Sequence, residues 1–132
     1  MSNTYTKAQI TQYLQRINYP QHKHPSSQLD FLHQLVLQHL THVPFENIAL
    51  HYTQSQRLSL KLDDLFDKIV VKRRGGYCME LNALFLAVLR SLGFEAIGSA
   101  GRVKVAGRFQ GLCVYSSSFS LIHFTRYFVL FY

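Results

Sequence analysis

From Leu81 to Leu89 the chain carries a single polar residue, Asn82. A helix that is apolar on every side has to be covered by other elements. The run is also shorter than the roughly 18 apolar residues of a membrane span. The fold must therefore wrap this segment, and the rest of the sequence supplies the pieces that could do so. Residues 6–17 read as a helix capped by Thr6, with Ile10, Tyr13, Leu14 and Ile17 at helical spacing and Asn18 and Pro20 as its stop. Ser26 or Ser27 opens a second helix, whose Leu29, Leu32, Leu35, Val36 and Leu40 form one inward stripe that breaks near Pro44.

Residues 48–62 are ambiguous, because Ile48, Leu50 and Tyr52 alternate as in a short strand. Asp63 and Asp64 suit the start of a third helix running through Leu65, Phe66 and Ile69, where carboxylates complement the helix dipole. The apolar helix itself is expected over about Cys78–Leu92, with Gly93 as its C-terminal cap. Residues 94–105 and 112–115 read as strands. From Cys113 to Tyr132 the composition changes to aromatics and serines with one charge, Arg126. As an edge strand such a tail would promote aggregation. The expected division is 1–93 as a helical bundle, 94–112 as the beginning of a β-barrel and 113–132 as an atypical aromatic tail.

Just before the apolar helix stands Arg74-Gly75-Gly76-Tyr77-Cys78-Met79-Glu80-Leu81-Asn82. A thiol attacks as the thiolate, and three features favour that form at Cys78. The two glycines permit a tight turn in conformations that other residues resist. The turn delivers the sulfur to a helix N-terminus, whose dipole favours an anion. Arg74 adds positive charge. Residue by residue, two readings stand: a nucleophile, or a small buried cysteine at an ordinary helix start.

A cysteine nucleophile commonly uses a histidine base oriented by Asp or Asn. His22, His24, His33, His39, His42 and His51 precede Cys78 and read as surface or packing residues. Only His123 follows it, and Asp30, Asp63, Asp64 and Asp67 all lie upstream. The second cysteine, Cys113, gives neither a disulfide framework nor a metal set. The formal charge of +7 includes the clusters Lys72-Arg73-Arg74 and Arg102, Lys104, Arg108. These suit nucleic acid, an acidic membrane, a phosphorylated cofactor or simply solvent, and no nucleic-acid motif accompanies them. The first twenty residues show no secretory pattern, so a reduced, cytoplasmic protein is expected.

These motifs make the chain resemble the arylamine N-acetyltransferases. Arg74 to Asn82 is similar to that family's signature Arg-Gly-Gly-aromatic-Cys-x-Glu-x-Asn, and Val43-Pro44-Phe45-Glu46-Asn47-Ile48 to its second characteristic stretch. Tyr13, Arg16-Ile17, Lys68-Ile69-Val70, Gly93-Phe94 and Gly101-Arg102-Val103 extend the likeness over residues 5–108. The resemblance implies an α+β fold: a helical bundle followed by the first strands of a β-barrel, with a papain-like cysteine-enzyme core. It implies xenobiotic chemistry in which Cys78 takes an acetyl group from acetyl-coenzyme A and passes it to an arylamine or arylhydrazine. It matches Arg74 and Glu46 to a charged pair supporting the site, Phe45 to an aromatic lining it, and Gly75 and Gly76 to its turn. Neither a metal, a nucleic acid nor a membrane is implied.

His123 is the candidate base by position, although Leu121, Ile122 and Phe124 do not reproduce the family's histidine motif. The family aspartate would fall past Tyr132. A truncated product is therefore expected, its last twenty or so residues coming from a different reading such as a retained intron, with acetyl transfer impaired. The alternative is a non-catalytic fragment that associates with a partner or an intact relative. Another papain-like cysteine enzyme, such as a transglutaminase or amidase, is disfavoured by Pro44–Asn47. Acceptor and oligomeric state are not readable from these residues.

Overall fold

The computed structural model describes residues 4–20, 27–48, 51 and 59–98, and the backbone alone of 104–105, 108–109, 122–124 and 127–129. Helix α1 spans Lys7–Arg16 and α2 spans Gln28–His42. Helix α3, Leu62–Phe66, runs on into a π-helical turn over Asp67–Val71. Helix α4 spans Cys78–Ser91. Strands β1 (Lys104–Val105) and β2 (Arg108–Phe109) pair antiparallel, as do β3 (Ile122–Phe124) and β4 (Tyr127–Val129).

The helix ends follow local chemistry. Thr6 and Gln9 form a reciprocal capping box at the start of α1. At its end Asn18 turns left-handed (φ 53°), and Tyr19 N–H reaches Leu14 O at 2.9 Å. Helix α4 ends in the same way: Gly93 has φ 87°, and Phe94 N–H donates to Leu89 O at 3.0 Å. Both are Schellman endings, which need a residue tolerant of positive φ, and Asn and Gly supply it.

Helix α4 lies at the centre, and no residue from Gly75 to Leu92 is exposed. Leu84, Phe85, Val88 and Leu89 pack with Tyr13 of α1 and Ile17 just past its end, Leu32 and Leu35 of α2, and Leu65 and Ile69. The apolar run is thus covered as its composition demands.

Two expectations need correction. Leu40 does not join the inward stripe of α2: it is 54% exposed, and His39 is buried instead. From Leu32 and Leu35 the helical period leads to position 39, and a polar residue is tolerated there because His39 Nδ1 and the Tyr13 hydroxyl share a 2.8 Å hydrogen bond. The stretch Phe94–Gly98 has no regular structure, so the strand expected over 94–105 does not begin there, and its described part is Lys104–Val105. Among the described residues the strands form two separate two-stranded pairings. Leu50, Tyr52 and 112–115 lie outside the described residues, as do the side chains of the aromatic tail. No described helix is long and apolar enough to cross a membrane.

Burial, reinforced by the Arg16 charge, lowers His39 from its ordinary 6.5 to about 4. The sign follows from proton uptake. Between those values the unfolded chain binds a proton that the folded chain refuses. The stability from neutral His39 is therefore complete above pH 6.5 and is lost as pH falls toward 4. Urea unfolding should show a decline of at most about 3 kcal/mol across that window. His39→Gln should flatten it. Tyr13→Phe, which strips Nδ1 of its partner, should cost about 1–3 kcal/mol at neutral pH.

Candidate active site

The site is assembled by two segments distant in sequence that run side by side. Phe45 and Gly76 form a parallel bridge in which Glu46 N–H donates to Gly76 O (2.9 Å) and Gly76 N–H donates to Pro44 O (3.3 Å). This holds the Val43–Asn47 stretch against the turn that feeds α4.

Cys78 is the first residue of α4 and is half-buried. The turn before it differs from the sequence expectation. Neither Gly75 nor Gly76 has a positive φ, and the left-handed residue is Arg73, at φ 54°. The glycines are needed for space. A Cβ on Gly75 would stand 2.1 Å from Pro44 O, and one on Gly76 would stand 2.9 Å from Glu80 Oε2.

Four charged side chains brace this arrangement. Arg74 Nη2 donates to Glu46 Oε1, and Gly75 N–H donates to Glu46 Oε2 at 3.3 Å. Lys68 Nζ donates to Glu80 Oε2 at 2.7 Å and lies 4.0 Å from Glu46 Oε1. Glu80 Oε2 also accepts from Tyr77 N–H at 3.2 Å, which ties the residue before Cys78 to the first turn of α4. Burial pushes the Glu46 carboxyl up, but the bonds from Arg74 and Gly75 and the charges of Arg74 and Lys68 outweigh it and leave it lowered. The result is a chain of alternating charge, Arg74–Glu46–Lys68–Glu80, around the start of the cysteine helix. Such an alternation fixes backbone geometry without leaving a net charge on the network itself.

Arg74, Glu46, Gly75, Gly76 and Cys78 are thus brought together. The Phe45 side chain is 65% exposed. The backbone of His123 lies in β3 opposite Phe128, and its side chain lies outside the described residues. Lys68 and Glu80 are further charged residues of this site that the sequence pattern does not single out. Their signal was present: Glu80 is the only carboxylate in a helix with no exposed face, so a buried cation had to meet it. No group of His, Cys, Asp or Glu side chains that could hold a metal occurs among the described residues.

Comparison with known proteins gives likenesses of three kinds: to a family model, to individual sequences and to a solved structure. Residues 28–111 match the family model described as N-acetyltransferase. The N-malonyltransferase FDB2 of Gibberella moniliformis is 36% identical over 77% of this chain and 34% of its own length. The arylamine N-acetyltransferase of Mycobacterium bovis is 40% identical over 71% of this chain and 32% of its own length. Among solved structures, Nocardia farcinica arylamine N-acetyltransferase superposes with a TM-score of 0.63 at 39% identity, covering 75% of this chain and 34% of that one. The chain spans about a third of the length of the curated relatives it matches.

Proposed function

The chain belongs to the arylamine N-acetyltransferase family of acyltransferases, and from that premise we propose that Cys78 accepts an acetyl group from acetyl-coenzyme A and passes it to an arylamine or arylhydrazine. The observation that carries this reading is the placement of Cys78: a half-buried thiol on the first residue of α4, with the two residues before it held by their backbones, Tyr77 by Glu80 and Gly76 by the Pro44–Glu46 segment. In the first step the Cys78 thiolate attacks the thioester carbonyl of the donor. A bond from Sγ to the acyl carbon forms, the bond to coenzyme A sulfur breaks, and the departing thiolate takes up a proton. In the second step the amine attacks the Cys78 thioester, the C–Sγ bond breaks, the amine loses its proton to a base, and the thiolate is restored. The helix N-terminus supports the anionic sulfur at both ends of the cycle. We further propose that the family's barrel follows α4 in the complete fold.

Intact-protein mass spectrometry after brief incubation with acetyl-coenzyme A tests the first step. One acetyl mass per chain is expected, absent from Cys78→Ala. His123→Ala should slow the adduct if this histidine removes the thiol proton. The likeness to an N-malonyltransferase favours a second donor, and malonyl-coenzyme A run in parallel distinguishes the two by adduct mass. A folded chain that gives no adduct with either donor would overturn the reading and leave a non-catalytic, partner-binding role.

A further inference from the structure

The three consecutive basic residues 72–74 point to three different places. Lys72 Nζ pairs with Asp67 at 2.5 Å, and Arg74 pairs with Glu46. Arg73, between them, lines an open cavity of about 240 Å³ formed with Gln12, Gln15, Arg16, Val70 and Val71. We propose that this cavity binds a tetrahedral oxyanion, phosphate or a phosphate monoester, between the guanidinium groups of Arg16 and Arg73.

The lining holds two cations, two neutral amides and no carboxylate. Nearby acids are already engaged, Asp67 by Lys72 and Glu46 by Arg74, and no ion pair to Arg16 or Arg73 occurs among the described residues. Arg16 is held by main-chain carbonyls: Nε donates to Ile69 O (3.0 Å), Nη1 to His42 O (2.7 Å) and Nη2 to Arg73 O (3.4 Å). Those contacts fix the plane of the guanidinium without neutralising its charge. Its remaining N–H donors are thus preorganised, which reduces the ordering cost of binding. The last contact also joins Arg16 to the backbone of Arg73, whose left-handed φ of 54° is an unfavourable conformation for an arginine and sets the direction of its side chain. Burial and the Arg73 charge lower the pKa of Arg16, as expected of like charges sharing a site that an anion would relieve. A tetrahedral oxyanion has several acceptor oxygens and can take hydrogen bonds from both arginines lining the cavity, which a halide does less well. The amides of Gln12 and Gln15 can add neutral donors.

The test is titration of inorganic phosphate into the full chain at constant ionic strength, balanced with sodium chloride, followed by amide and guanidinium NMR shifts. Saturable shifts are expected at residues 12–16 and 70–73, with a Kd of about 1 mM. Arg73→Asn keeps a residue that tolerates the left-handed backbone and removes the charge, and it should weaken binding at least about tenfold. Gln12→Glu places an internal carboxylate in the cavity and should abolish binding while leaving the Arg16 contacts intact. Glycerol 3-phosphate separates the sources: binding of both ligands assigns a phosphate monoester, and binding of inorganic phosphate alone assigns the free ion. Shifts spread equally over all basic residues, no saturation at constant ionic strength, or equal binding by both variants would overturn the site. None of these readouts depends on acyl transfer at Cys78.

Discussion

Lys68→Met is expected to destabilise the chain by about 3–5 kcal/mol, the range for removing one partner of a buried ion pair, when unfolding is followed in urea. The size comes from what is left behind. Glu80 is 3% exposed, and without Lys68 its carboxylate keeps only the Tyr77 N–H among the contacts described for it. Water cannot replace the lost ammonium in so closed a position. Two companion variants separate this from a general effect of losing positive charge. Lys72→Met removes a lysine whose pair with Asp67 is 63% and 51% exposed, and should cost at most about 1 kcal/mol, as surface pairs do. Adding Glu80→Gln to Lys68→Met removes the stranded charge while retaining an acceptor for Tyr77 N–H, and should restore more than half of the loss. If Lys68→Met and Lys72→Met prove equally mild, the Lys68–Glu80 pair is not a buried one.

What the sequence makes legible here is mostly local. Thr6, Asn18 and Gly93 announce helix ends because the groups they satisfy lie within one turn of them. The covering of α4, which has no exposed residue, is legible because composition alone demands it. The choice of His39 over Leu40 is not, since it depends on a tyrosine 26 residues away that happens to satisfy the imidazole. Arg73 rather than a glycine taking the left-handed position is equally hidden, because what requires glycine at 75 is the proximity of Pro44, a tertiary fact. The same holds for the site. Cys78 is visible as a thiol at a helix start, and Glu46 with Arg74 came from family resemblance, not from spacing. Lys68 meets Glu80 across a π-helical turn and the Gly75–Gly76 turn, and neither helical nor strand periodicity predicts that meeting. The three basic residues 72–74 read as one cluster in sequence but separate into two ion pairs and one cavity-lining side chain.

Gly75→Ala should be the most damaging alanine substitution among the described glycines, costing about 3 kcal/mol or more by overpacking against backbone. An added Cβ would meet Pro44 O at 2.1 Å, Pro44 C at 3.0 Å and Glu46 Cβ at 3.1 Å. A flexible side chain could swing aside, but a main-chain carbonyl can retreat only with its whole segment. That retreat would break Gly76 N–H to Pro44 O and Glu46 N–H to Gly76 O, and would draw Glu46 away from Gly75 N–H and Arg74. Entropy works the other way, since alanine in place of glycine ordinarily stabilises by about 0.4–1 kcal/mol where the backbone permits. The steric cost has to win by a wide margin for the prediction to hold. Gly76→Ala meets side-chain atoms of Glu80 and Leu81 at 2.9–3.3 Å and should cost less, because those atoms can shift. Gly93→Ala meets nothing within 4 Å and should cost only about 1 kcal/mol for its left-handed φ. The order Gly75, Gly76, Gly93 in urea midpoints is therefore the measurement. If Gly75→Ala is no worse than Gly93→Ala, the Pro44–Glu46 segment does not lie against the cysteine turn, and Cys78 alkylation should then proceed at the same rate in both variants.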